Sequence, residues 1–225
     1  MKYIFNPLNT EEFKSRIAES FPSAYLTIIS IIQGVALGLL ATNSFGYIKD
    51  PCLPETWVRF LPYSFMSFLT IIVVTYEYTW FVGVFRWSPR IWDTIIPFAL
   101  GFSAIGPIFY LTNPKIWWFL TAAFCGFGAL GFFNTLWNCR QNMFDKNKKV
   151  YIRVRNTLKS DILIALIAAL ICIFAGLFYS SSMKILHWYL LEILFLISLF
   201  GIVIFLFYKE ERFMKNLHSD FGFIR

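Results

Sequence analysis

At 225 residues, the chain gives 58% of its positions to hydrophobic side chains, 20% to aromatics and only 15% to charged residues. A water-soluble domain carries roughly 25% charged residues, so the composition excludes one and points to a bilayer. The net charge of +7 then reads first as a topology signal and only weakly as evidence for nucleic acid, which is not expected as a partner.

The chain opens with a polar leader, residues 1–21, in which Phe13 and Ile17 fall at helical spacing beside Glu11, Glu12 and Lys14. This pattern predicts a short amphipathic helix on the membrane surface or against another cytoplasmic segment. Six apolar blocks follow, at 22–46, 58–84, 92–111, 115–138, 161–181 and 185–207. Each is close to the ~20 residues that cross ~30 Å of hydrocarbon as a helix. The expected fold is therefore all-α, a polytopic membrane protein of about six transmembrane helices over 22–207. The first block exceeds the apolar core of a secretion signal and is expected to remain as an anchor.

Between the first two spans, Pro51 and Pro54 prevent a continuous helix. Pro97, Gly101, Gly106 and Pro107 predict a kinked or locally unwound third span. The sixth span carries no proline and only Gly201, so the two halves do not match as an inverted-repeat transporter requires. "TNP" predicts a tight hairpin between the third and fourth spans. A basic loop at 139–160 and a tail at 208–225 complete the chain. Within the loop, "KKVYIRVRN" alternates Val150, Ile152 and Val154 with polar neighbours, a pattern that suits a short strand.

The basic residues orient these spans. With the N-terminus cytoplasmic, only Lys49, Arg59, Lys115 and Lys184 fall outside, while the other sixteen of the twenty Lys and Arg fall inside. Both termini and the 139–160 loop are accordingly expected in the cytoplasm, as in a bacterial inner (plasma) membrane. Of the four cysteines, only Cys52 would face outside, so no disulfide framework is expected.

Close packing between spans is expected where small residues recur. Gly34 and Gly38 have the GxxxG spacing, Ala122 and Gly126 stand four apart, and Ala165 and Ala169 repeat the pattern. Contacts within the chain are the simpler outcome, and a homo-oligomer is the other. The second and sixth spans, rich in Phe, Leu and Ile, are expected to face lipid.

Polar groups inside the spans are few. Glu77 lies about eight residues, or roughly 12 Å, inside the second span. A carboxylate at that depth must be protonated, hydrated or paired, and Arg86, Arg90 and Arg140 stand in the right leaflet to pair with it. Glu192 lies near the opposite surface, and His187 does not share its helical face, which argues against a metal pair. Enzyme signatures are missing: "GFSAIG" lacks the G-x-S-x-G spacing, and there is no H-E-x-x-H. No cofactor, metal or catalytic residue is assigned.

Lys146, Lys148, Lys149, Arg153 and Arg155 form the candidate partner or lipid surface; basic residues there attract anionic lipid headgroups. Two functions fit these readings. One is a non-enzymatic membrane sensor or anchor subunit that presents its basic surface to a cytosolic effector, for instance in a stress-response or phage-defence module. The other is an oligomeric channel or small-solute transporter with Glu77, Gln33, Asn134 and the kink at Gly106 and Pro107 in its path.

Overall fold

The computed structural model describes residues 10–49, 54–84, 91–142, 148–179 and 185–220. Regular structure among them is entirely helical. The elements are α1 (Thr10–Lys49), α2 (Pro54–Val84), α3 (Ile91–Ile105) continuing as a 3-10 turn (Gly106–Tyr110), α4 (Pro114–Asn142), α5 (Lys148–Phe178) and α6 (Ile185–Asp220). Among the described residues, five helices are long and apolar enough to cross a membrane: Ser23–Gly46, Phe60–Thr79, Pro114–Trp137, Tyr151–Phe178 and Leu190–Asn216. The apolar helix Ile95–Tyr110 is shorter.

The outside of this bundle is as greasy as its core. Ile31, Phe102, Leu177 and Leu194 are each more than 60% exposed, and water would not tolerate such a surface. Hydrocarbon does, because it makes no distinction between Leu and lipid. The protein is an integral membrane protein on the strength of these helices.

Local chemistry explains the element boundaries. Pro54 and Pro114 open α2 and α4 at the first helical position, where a missing N–H costs nothing. Asn113 caps α4: its side-chain oxygen accepts from the Ile116 amide at 3.4 Å, and its carbonyl accepts from the Trp117 amide at 3.0 Å. The Asn113 amide also donates to the Tyr110 carbonyl at 2.9 Å, which makes the "TNP" segment the tight hairpin expected. In the third element the α-helix stops at Ile105, and Pro107 stands in the opening of the 3-10 turn. Its ring removes an amide and crowds the carbonyl one turn back, so local unwinding occurs where the sequence places it.

Each helix packs on two principal neighbours, in the cyclic order α1, α2, α6, α5, α4, α3 and back to α1. Consecutive helices run antiparallel. Tyr25 meets Tyr78 edge-on, with ring centres 5.4 Å apart, near one end of the α1/α2 pair, while the Ser44 and Ser64 hydroxyls bond at 3.0 Å near the other. The α4/α5 seam is the most extensive, and small residues make it so. Ala168, Cys172 and Ala175 on α5 are buried, and a Cβ on Gly176 would come within 3.1 Å of the Phe119 ring.

Several expectations are corrected. The 139–160 segment is not a long loop, because α4 continues to Asn142 and α5 already begins at Lys148. "KKVYIRVRN" is helix rather than strand: Val154 is fully buried while Ile152 is 46% exposed. The winning period is Val154, Leu158 and Asp161, all buried against neighbouring helices, which a period-2 ribbon could not supply. The leader is not a separate short helix either, since α1 runs unbroken from Thr10.

The second span is no more lipid-facing than its neighbours: Phe60, Tyr63, Met66, Ile71 and Val74 are core residues, while Leu61, Phe65 and Phe68 face outward. The sixth span does face outward along most of its length. Finally, Gly34, Gly38 and Gly126 do not pack helices within the chain, since a Cβ on any of them would meet nothing within 4 Å. Gly101 does, because a Cβ there would collide with Ile32 of α1. Spacing alone located small residues but could not say which way they face.

Candidate functional site

The ring of helices leaves a partly enclosed cavity of about 140 Å³ at its centre. All six helices reach it, and the helical repeat dictates which residues do. On α2 the wall is Met66, Thr70, Val73, Glu77 and Phe81; on α4 it is Thr121, Cys125, Gly128, Phe132 and Thr135. These positions recur every three or four residues, one stripe of each helix. Glu77 and Asn134, assigned to a polar path from sequence, both line it. Gln33 and Gly106 are not in the wall, and Pro107 sits with Trp117 and Ser67 in a much smaller crevice beside it.

The hydroxyl groups in the wall are mostly spent. Thr70 donates to the Met66 carbonyl at 2.9 Å and Thr135 to the Gly131 carbonyl at 3.0 Å, the back-bonding typical of threonine in a helix. Thr121, buried at 4% exposure, has no partner for its hydroxyl.

One turn beyond Met66 and Thr121 of the wall, aromatic rings pack on one another. Tyr63 lies edge-on to Trp117 and Trp118 with centres 4.7 and 6.2 Å away, and the two tryptophans meet at 5.0 Å. The Tyr63 hydroxyl donates to Glu192 Oε1, and Trp117 Nε1 donates to Ser67 Oγ at 3.1 Å. Glu192 is thus buried and hydrogen-bonded across α2 and α6, about 21 Å along α2 from Glu77 at 1.5 Å per residue. The two carboxylates belong to opposite ends, as expected.

A charged layer that sequence reasoning missed lies beside the wall, with Asp161 between the lining residues Leu158 and Ile164 of α5 and Lys209 three residues past Leu206 of α6. Asp161 of α5 is fully buried and ion-pairs with Lys209 of α6, whose ammonium also approaches Glu210 Oε1 at 3.3 Å and the Thr157 carbonyl at 3.3 Å. Glu210 is only 1% exposed. Glu77 stands within electrostatic reach of Lys209. The signal was present in "KSD" and "YKEER" at the ends of two apolar blocks, but ends of spans are where charges are ordinary, so position in the sequence did not set them apart.

Beneath this layer, Val154 and Leu158 of α5 pack on Phe213 of α6, flanked by Phe81, Phe132 and Tyr151. Arg153 donates to the Asn216 carbonyl at 3.0 Å, tying α5 to α6, while Arg155 and Lys159 project outward one turn apart. Lys148 and Lys149 lie in the first turn of α5. Lys146, Arg86 and Arg90 lie outside the described residues. Among the described residues no cluster of His, Cys, Asp and Glu could hold a metal ion.

Compared with known proteins, the chain matches no family model, no curated protein and no solved structure. The functional reading therefore rests on geometry.

Proposed function

We propose that this chain is a non-enzymatic membrane sensor whose central cavity controls a basic cytoplasmic surface. The third element completes a sixth crossing in this reading: its helix and 3-10 turn together span roughly 32 Å at 1.5 and 2.0 Å per residue. Both termini and the basic end face the cytoplasm, as the inside-positive rule requires of a bacterial inner membrane.

One observation carries the proposal. Phe81, Phe132 and Leu158 belong both to the cavity wall and to the apolar cluster on which the basic ends of α5 and α6 are mounted. A change in what fills the cavity must move those side chains, because packed interiors transmit displacement rather than absorb it. The helix ends carrying Lys148, Lys149, Arg153 and Arg155 then shift relative to a bound effector.

The test is a cross-linker placed at the exposed Asn156 of α5 in intact cells. A stoichiometric cytosolic partner should be captured, lost on Arg155→Glu with Lys159→Glu, and captured to a different extent when Ala165→Phe fills the cavity. Recovery of lipid alone, or capture indifferent to cavity filling, would refute the reading.

A channel or carrier is the second reading, favoured by the presence of Glu77 and Asn134 in one cavity wall. It requires a path through the packed Tyr63, Trp117 and Trp118 rings beyond the wall. Trp117→Ala should then raise flux in liposomes, and Glu77→Gln should abolish it. Absence of flux across pH and potential, in both native protein and Trp117→Ala, eliminates it.

A further inference from the structure

The wall of the central cavity has already spent nearly every polar group it holds. Thr70 and Thr135 donate to carbonyls of their own helices at 2.9 and 3.0 Å. Tyr25 and Tyr78 share a hydrogen bond, as do Cys125 of α4 and Cys172 of α5. Glu77 and Asn134 are each engaged by other groups of the chain. Among the described residues, the hydroxyl of Thr121 is what remains. Thr121 is 4% exposed, it lines both the cavity and the small crevice that holds Ser67 and Pro107, and its Oγ1 has no partner.

That inventory restricts the occupant. A buried water makes about three hydrogen bonds, and one free hydroxyl cannot supply them. An ion would shed its hydration and find no uncommitted counter-charge, since Glu77 is already engaged. A purely apolar molecule gains little by leaving the bilayer, because lipid tails solvate it as well as Val73 or Phe124 of the wall would. A neutral molecule that is mostly hydrocarbon and carries one hydroxyl differs from all three: in the hydrocarbon of the bilayer that hydroxyl has no partner, and in the cavity it meets Thr121. The volume of about 140 Å³ is close to one that holds a benzene ring, which sets the occupant at about six to eight non-hydrogen atoms.

We propose that the cavity binds an uncharged lipophilic alcohol of the size of phenol, its hydrocarbon part among the apolar side chains of α2 and α4 and its hydroxyl hydrogen-bonded to Thr121 Oγ1. This inference rests on the sensor reading and supplies its ligand class. It places recognition on α4, about three turns before Phe132, the wall residue of that helix that also packs in the apolar cluster under the basic ends.

The experiment uses the full chain in phosphatidylcholine nanodiscs, read by fluorine NMR. Para-fluorophenol and para-fluorotoluene are isosteric probes that differ in the hydroxyl, para-fluorobenzoate is the charged comparison, and empty nanodiscs give the bilayer partition to be subtracted. Para-fluorophenol should saturate at a bilayer concentration about tenfold below para-fluorotoluene, the ratio that one ordinary hydrogen bond supplies; the benzoate should show no saturable binding. Thr121→Val keeps the branched shape of the side chain and removes the hydroxyl, so it should erase the phenol preference while leaving para-fluorotoluene within twofold. Gly128→Leu starts from a wall position where a Cβ meets nothing within 4 Å, so it fills the cavity without a clash and should remove saturable binding of both neutral probes. Val73→Trp serves the same purpose should that variant not fold. Equal binding of the two neutral probes overturns the proposal, as do saturable benzoate binding, a phenol preference that survives Thr121→Val, saturation that survives a filled cavity, and no saturable binding at all. If para-fluorophenol fails to bind while Ala165→Phe still changes capture of the cross-linked partner, the ligand class falls and the sensor stands. Saturable phenol binding without any captured partner does the reverse.

Discussion

Replacing Lys209 with Met tests the charged layer directly. The substitution keeps the length and apolar stem of the side chain and removes only the ammonium that faces Asp161 and Glu210. Breaking a buried ion pair by deleting one partner costs about 3–5 kcal/mol, because the remaining charge is stranded. Lys209 retains 16% of its side-chain exposure, which pulls the value toward the low end, but two carboxylates at 0% and 1% exposure lose their counter-ion together. A destabilisation of about 3 kcal/mol is expected, read as the shift in an SDS-unfolding equilibrium of the purified protein. The matched control is Lys215→Met, whose bond to Glu211 at 2.7 Å joins two side chains more than 60% exposed and should leave stability unchanged. The triple replacement Asp161→Leu, Lys209→Met, Glu210→Leu should recover most of the loss, since an apolar substitute carries no desolvation penalty. If Lys209→Met proves no worse than Lys215→Met, the layer is hydrated and the account of its energetics fails.

Three further outcomes follow from side chains at known positions. Tyr63→Phe removes the donor to buried Glu192 and should cost about 1–3 kcal/mol; Glu192→Gln in the same background should show non-additive coupling, and simple additivity in the unfolding equilibrium would contradict the bond. Gln33 is 4% exposed with neither amide atom hydrogen-bonded, so Gln33→Leu should stabilise the protein by about 1 kcal/mol or more, and a loss on thermal unfolding would reveal a partner or an occupant. Gly101→Leu should prevent α1 and α3 from closing, detected as loss of folded monomer by size-exclusion chromatography, whereas Gly34→Leu with Gly38→Leu should leave the monomer intact. Should native mass analysis find a homo-oligomer, that same double variant tests whether the open glycine face joins the copies.

The helical class, the membrane setting, the hairpin at Asn113 and the break at Gly106 were all legible in sequence, because each depends on composition or on one residue's covalent geometry. Pro107 cannot donate an amide wherever it is placed. The site was legible only in fragments. Glu77 and Asn134 were recognised as polar groups inside spans, yet nothing local says they share a wall, since that depends on how α2 and α4 rotate about their axes. The same rotation decided that Gly101 and Gly176 are contacts while Gly34, Gly38 and Gly126 face outward. Asp161 and Lys209 were missed for a different reason: a charge at the end of an apolar run is unremarkable until the helix is seen to continue past it, and α5 and α6 both do.

That continuation changes what the basic segment can be. A flexible loop of twenty residues could bind a partner without informing the rest of the chain, because its displacement would dissipate within a few bonds. Two helices that continue unbroken, joined by Val154, Leu158 and Phe213 and pinned by Arg153 to the Asn216 carbonyl, would act as levers in the proposed sensor. The charged layer of Asp161, Lys209 and Glu210 lies where the levers enter the bundle, and a layer that tolerates little rearrangement is a fulcrum. In the proposed sensor, small changes at Phe81 or Phe132 in the cavity wall would reach Arg155 and Lys159 through Leu158, within one helical turn of both. On this account stability and signalling draw on the same contacts, so substitutions that loosen the fulcrum should uncouple the cavity from the surface before they unfold the chain.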